Sequence, residues 1–132
     1  MTGAGLVVDA ERGLVIVGRN VIPFAMGDVT VTFCDSIIVR GKVEWLDDAH
    51  GIAFILYDPK QIGDTPVRSA PISPIELYQG ASVSLVALNH NFMPTLVTTL
   101  VTDITAVTIP QNSIPRYRTI KYDCKVTKAV TF

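Results

Sequence analysis

The amino-acid sequence predicts an all-β fold, and three observations carry that prediction. β-Branched residues are abundant, the hydrophobic period is two wherever it can be read, and turn-forming clusters separate short apolar runs. Helix signals are weak along the whole chain.

Leu6 to Asp9 and Leu14 to Val17 are nearly continuous apolar runs, short enough to be buried strands, and Ala10-Glu11-Arg12-Gly13 closes the hairpin between them. Val29-Thr30-Val31-Thr32-Phe33 and Lys42-Val43-Glu44-Trp45 alternate as half-buried strands do, with Cys34-Asp35-Ser36 forming a tight reversal. Ile52 to Tyr57 and Val83 to Leu88 are further apolar runs, and Ile120 to Val126 alternates again. Longer turns are expected at Asn89-His90-Asn91-Phe92-Met93-Pro94 and Pro110-Gln111-Asn112-Ser113. Pro59, Pro66, Pro71 and Pro74 crowd one stretch, and proline is excluded from central strands because it lacks a ladder donor. That stretch reads as a connector at 59–80, between a first barrel at 3–58, expected to have six strands, and further strands at 81–132. Many short strands with regular turns indicate a barrel or a sandwich.

With 48% hydrophobic and 17% charged residues and a net charge of -1, the 132-residue chain falls among ordinary globular proteins and shows no basic excess to attract nucleic acid. Arg116, Arg118, Lys121, Lys125 and Lys128 mostly alternate with apolar positions, the pattern of a solvated strand face. Cys34 and Cys124 lie far apart, in no Cys-x-x-Cys pair and with no nearby histidine, so no zinc site is expected. Both read as reduced, buried residues of an intracellular protein. No signal segment is visible, and no apolar run approaches the roughly 20 residues of a membrane-spanning helix. A soluble chain is expected, and the abrupt Met1-Thr2-Gly3 start gives it the look of a piece that begins at a domain edge.

Candidate chemistry is sparse. His50 follows Asp47-Asp48-Ala49 and could pair with either carboxylate, but no nucleophile accompanies it, and a solvated loop histidine is the expectation. His90 sits among turn-capping asparagines. Asp47 and Asp48, adjacent at a strand end, point to opposite sides and do not converge on one metal ion. No glycine-rich phosphate loop stands at a strand-to-helix junction, and no cofactor is expected. Nor does any Gly-x-Ser-Gly or Gly-x-Ser-x-Gly turn occur, the device that exposes a serine beside an oxyanion hole.

Two segments, Gly13-Leu14-Val15-Ile16-Val17-Gly18-Arg19-Asn20-Val21-Ile22 and His50-Gly51-Ile52-Ala53-Phe54-Ile55-Leu56-Tyr57-Asp58, resemble first-barrel segments of the HtrA-type serine proteases. In that family an apolar strand delivers His just before a Val-Val pair, and Asp opens the run Asp-Ile-Ala-Leu-Ile. The resemblance puts Asn20 at the histidine position and Gly51 at the aspartate position. An amide cannot accept a proton near neutral pH, and glycine has no side chain to orient a base. Further strings are similar to the fungal nuclear HtrA-like pro-apoptotic serine proteases: Gly5-Leu6-Val7-Val8-Asp9, Asp35-Ser36-Ile37-Ile38-Val39, Gly63-Asp64-Thr65-Pro66-Val67, Ser82-Val83-Ser84-Leu85-Val86-Ala87, and Val101-Thr102-Asp103-Ile104 running on to Ser113-Ile114-Pro115-Arg116-Tyr117-Arg118.

The resemblance implies a trypsin/chymotrypsin-like architecture, with the first barrel complete and the second partial. It also implies a degenerate second protease region, a nuclear location, and a parent protein with protease and chaperone character linked to apoptosis. The similarity fades after about Ile120, before the family's nucleophile loop. The reading is therefore a module with no catalytic residues, whose degenerate positions are Asn20 and Gly51. It would partner other domains or subunits of an HtrA-like protease, extended polypeptide, or copies of itself. Two rivals stand beside it: a fragment of an active endopeptidase whose triad lies in other segments, and a truncated product with no role of its own.

Overall fold

The computed structural model describes residues 2–22, 24–91, 93–108 and 120–126, with the backbone alone for 102–108 and 120–126. The expected turn at 110–113 and residues Arg116, Arg118 and Lys128 lie outside these described residues. Among the described residues, eight strands and a single 3-10 turn make the fold all-β: β1 (Gly5–Asp9), β2 (Leu14–Gly18), β3 (Val29–Phe33), β4 (Ile37–Asp47), β5 (Ile52–Tyr57), the turn Pro59–Ile62, then β6 (Ser82–Leu88), β7 (Pro94–Thr108) and β8 (Ile120–Val126). Two compact units divide at Ile72–Ser73, inside the proline-rich stretch.

The first unit is one antiparallel sheet in the order β1-β2-β5-β4-β3. The first barrel is thus seen with five strands, where the sequence suggests six, and β1 and β3 stand at the two ends of the order. Bulges between Val7 and Asp9 in β1 and between Val43 and Trp45 in β4 interrupt otherwise regular ladders. Such interruptions bend a strand and increase its twist, which curls the sheet.

Alternation does the packing. In β5 the side chains of Ala53, Ile55 and Tyr57 are buried while those between them are half-exposed. Ile55 (1% exposed), Val15, Val39 and Tyr57 form the core, and Val7, Val17, Val29, Val31, Phe33 and Val43 pack against it. The Tyr57 ring meets Phe33 edge-on at 5.1 Å and 65°, a favoured aromatic geometry. Its hydroxyl is buried without a hydrogen-bond partner among the described residues, and burial raises the pKa of the phenol. Gly13, in the β1–β2 turn at φ 76°, accepts from the Tyr57 N–H at 2.9 Å, and a β-carbon there would collide with the Tyr57 carbonyl oxygen. Glycine is required by that close approach.

Beyond β5, Asp58 caps the 3-10 turn through its carboxylate, which accepts from the Lys60 N–H at 3.0 Å. The chain then returns along β1: the Ala70 N–H donates to the Val7 carbonyl at 2.8 Å, and the Ala10 N–H donates to Ser69 Oγ at 2.8 Å. The second unit is the three-stranded antiparallel sheet β6-β7-β8. Val101 is buried there and bonds back to Ala81 and Gly80. On one face of β6 and β7 Val86 lies opposite Leu96, and both are exposed.

One expectation is overturned in the β3–β4 hairpin. Cys34 is exposed, because it occupies the turn itself: the Ser36 N–H donates to the Phe33 carbonyl at 3.1 Å, and both central residues have positive φ, 50° at Cys34 and 55° at Asp35. The side chain of Cys124, in β8, is outside the described residues. Hairpin turns of this hand favour Asn-Gly, since L side chains are strained in the left-handed region. Replacing the pair by Cys34→Asn with Asp35→Gly should therefore raise stability by about 1 kcal/mol, read as a higher urea midpoint with an unchanged slope.

Candidate functional site

Antiparallel pairing of β2 with β5, from Leu14↔Leu56 to Gly18↔Ile52, brings the end of β2 beside the start of β5. The two positions singled out in the sequence, Asn20 and Gly51, therefore lie on adjoining turns, and the Arg19 N–H donates to the Gly51 carbonyl at 2.8 Å. Asn20 is the third residue of a turn closed by the Val21 N–H on the Gly18 carbonyl at 3.0 Å. Its exposed side chain folds back so closely that a β-carbon on Gly18 would lie 2.6 Å from Asn20 Oδ1. Gly51 has φ 69°, a backbone state that resists most side chains.

The side-chain bonding of this corner comes from neighbouring positions. Arg19 Nε donates to Asp48 Oδ1 at 2.6 Å, and Arg19 Nη1 donates to the Ile22 carbonyl. Asp47, at the end of β4, takes a different partner. One of its carboxylate oxygens accepts from the His50 N–H at 3.1 Å, and the other lies 2.7 Å from His50 Nδ1. The two carboxylates thus serve separate partners. His50 is 73% exposed, yet its ring is held by Asp47. Among the described residues no hydrogen bond joins His50 to a hydroxyl, and no group of three or more His, Cys, Asp or Glu side chains is placed to hold a metal ion.

His90 is exposed in the β6–β7 turn, where Asn89 does the capping: its side-chain oxygen accepts from the Asn91 N–H at 2.8 Å and the Met93 N–H at 3.0 Å. Two shallow recesses flank β4. One, of about 210 Å³, is lined by Asp28, Val29, Thr30, Arg40 and Gly41, and the other, of about 350 Å³, includes Lys42, Leu56, Tyr57 and Gln61. Neither is lined by Asn20, His50 or Gly51. No described helix is long and apolar enough to cross a membrane.

Sequence reasoning missed Arg19. Its partner is 29 residues away, and only the combined β2–β5 and β4–β5 ladders bring the two together.

The class is that of the trypsin-like serine protease fold. A likeness with TM-score 0.65 to the crystal structure of Rv3671c protease in its inactive form covers 85% of this chain and 52% of that one; at 16% identity it establishes the fold alone. Within that class, the sequence is homologous to a segment of the fungal pro-apoptotic serine protease NMA111. It is 46% identical over 123 residues to the Coccidioides immitis protein, 47% over 122 to that of Chaetomium globosum and 44% over 122 to that of Pyricularia oryzae. Each match takes in 92% of this chain, which spans about 12% of the length of these curated relatives. No protein-family model matches the chain.

Two outcomes test the electrostatics of this corner. Arg19 and Asp48 are partly solvated, at 24% and 41% exposure, and a double-mutant cycle with Arg19→Ala and Asp48→Ala should give a coupling of about 0.5–1 kcal/mol that shrinks in high salt. The hydrogen bonds from His50 hold the Asp47 carboxyl below the ordinary aspartate value. A lowered folded-state pKa contributes stability that is present above the unfolded value and lost as pH falls through the folded one. Between about pH 5 and pH 2 the wild type should therefore lose more stability than Asp47→Asn, as measured by urea unfolding across that range.

Proposed function

We propose that this chain is a non-catalytic trypsin-fold module of a larger HtrA-like protein, serving in assembly or in holding extended polypeptide. The observation that carries the reading is the corner where the β2 and β5 ends meet. The positions that resemblance assigns to the base and its carboxylate hold an amide and a bare glycine, and the bond across the two turns is made instead by Arg19 and Asp48. An ion pair ties the turns together mechanically, but a guanidinium offers only donors and no lone pair to take up a proton from a nucleophile. The absence of a Gly-x-Ser-Gly or Gly-x-Ser-x-Gly turn from these 132 residues supports the same reading, since Gly80-Ala81-Ser82 is followed by Val83-Ser84 and not by glycine. With the resemblance to the fungal nuclear HtrA-like proteases, the reading includes a nuclear site and a role beside the active region of such a protein; imaging of a tagged chain tests the first of these.

A second reading is favoured by one specific feature. The Asp47–His50 contact at 2.7 Å engages His50 Nδ1, and among the described residues no hydrogen bond reaches Nε2, which is how a carboxylate presents an imidazole to a nucleophile. In that case the chain is part of an active endopeptidase, and another segment supplies the serine. The discriminator is cleavage restored by that segment and abolished by His50→Ala.

Incubation of the chain with a serine-directed phosphonate probe and with unfolded casein tests the first reading. The proposed module takes up no label and leaves casein intact, and Asn20→His with Gly51→Asp does not change that result. Stoichiometric labelling of the unmodified chain would overturn the non-catalytic reading.

A further inference from the structure

Among the described residues, the two ends of the five-stranded sheet differ: one is engaged by further chain and the other is open. At β1 the outer side is engaged by the returning chain, through Ala70 on the Val7 carbonyl and Ser69 on the Ala10 N–H. At β3 no backbone hydrogen bond beyond the β4 ladder is present among the described residues. Natural edge strands are ordinarily blunted by lysine, proline or a bulge. β3 has none of these: its sequence is Val29-Thr30-Val31-Thr32-Phe33, and its ladder to β4 runs without a register shift.

The order of side chains in β3 matches itself when reversed. In an antiparallel pair centred on Val31, Val31 faces Val31 of the other copy, Thr30 faces Thr32, and Val29 faces Phe33. The half-buried Val29, Val31 and Phe33 pack on the core side, while Thr30 and Thr32 are exposed. Every opposed pair thus joins like with like, no charge confronts another, and threonines directly opposite each other are a favourable cross-strand combination. β6, the other uncharged edge, lacks this match, since a pair centred on Leu85 sets Ser84 against Val86 and Ser82 against Leu88.

We propose that β3 is the docking edge for a second copy of this chain, pairing antiparallel about Val31 to join two five-stranded sheets into one. The inference rests on the assembly role proposed above and gives that role a surface and a partner. The contact is isologous, so it closes at two copies, and its five-residue length makes it a weak, concentration-dependent association.

Sedimentation of the 132-residue chain between about 1 μM and about 1 mM tests it. The wild type is expected to move from 14.3 kDa toward twice that mass as concentration rises. Thr30→Lys with Thr32→Lys sets like charges opposite each other and should hold the chain monomeric. Thr30→Lys with Thr32→Glu sets lysine against glutamate in this register alone and should keep the dimer. Circular dichroism and the urea midpoint confirm that both variants fold.

A monomeric wild type, a dimer that survives the paired lysines, or a monomeric lysine–glutamate variant would each overturn the inference. None of these results touches the non-catalytic reading, which fails only on probe labelling. Labelling in turn leaves the sedimentation result standing.

Discussion

Pairing between β2 and β5 is the constraint on which the rest of the first unit depends. Its five-residue register places the buried Val15 and Ile55 opposite each other in the core and sets the Gly18 and Ile52 ends side by side. Because side chains alternate with a period of two, a slip of one residue would turn Ala53, Ile55 and Tyr57 out of the core and expose Phe54 and Leu56 to it. The same register determines which loop residues meet at the sheet's end. Core packing and corner geometry are thus two outcomes of one ladder.

That linkage explains how a protease-like frame can persist while its chemistry changes. The ladder is held by apolar burial and backbone hydrogen bonds, neither of which depends on what stands at Asn20 or Gly51. Proton transfer, by contrast, needs particular groups at particular atoms. In the proposed reading the corner has kept its mechanical function, with Arg19 reaching both Asp48 and the Ile22 carbonyl, and has given up its reactive one.

The strands legible in the sequence were those with clean alternation or short bounded apolar runs. Val29–Phe33, Ile52–Tyr57 and Ile120–Val126 have the expected bounds, and Leu14–Val17 is extended by Gly18. β7 was less legible, because Pro94-Thr95-Leu96-Val97-Thr98-Thr99-Leu100-Val101 mixes polar and apolar residues on both faces and shows no single period. Cys34 misled because cysteine is usually buried, whereas here hairpin closure fixes its exposure. At the candidate site, the identities of Asn20 and Gly51 were readable, but the Arg19–Asp48 bond was not, since it follows from ladder register rather than from spacing.

The return of the chain along β1 bears on where the first unit ends as an independent piece. Ser69 and Ala70 are stitched to β1 although they lie well beyond β5. Excision at Pro59, just past the last strand of the sheet, would strip β1 of its outer support and create a second bare margin. A graft of this unit into another protein should carry everything through Ile72, so that the proline-rich stretch serves as its selvedge rather than as a dispensable tether.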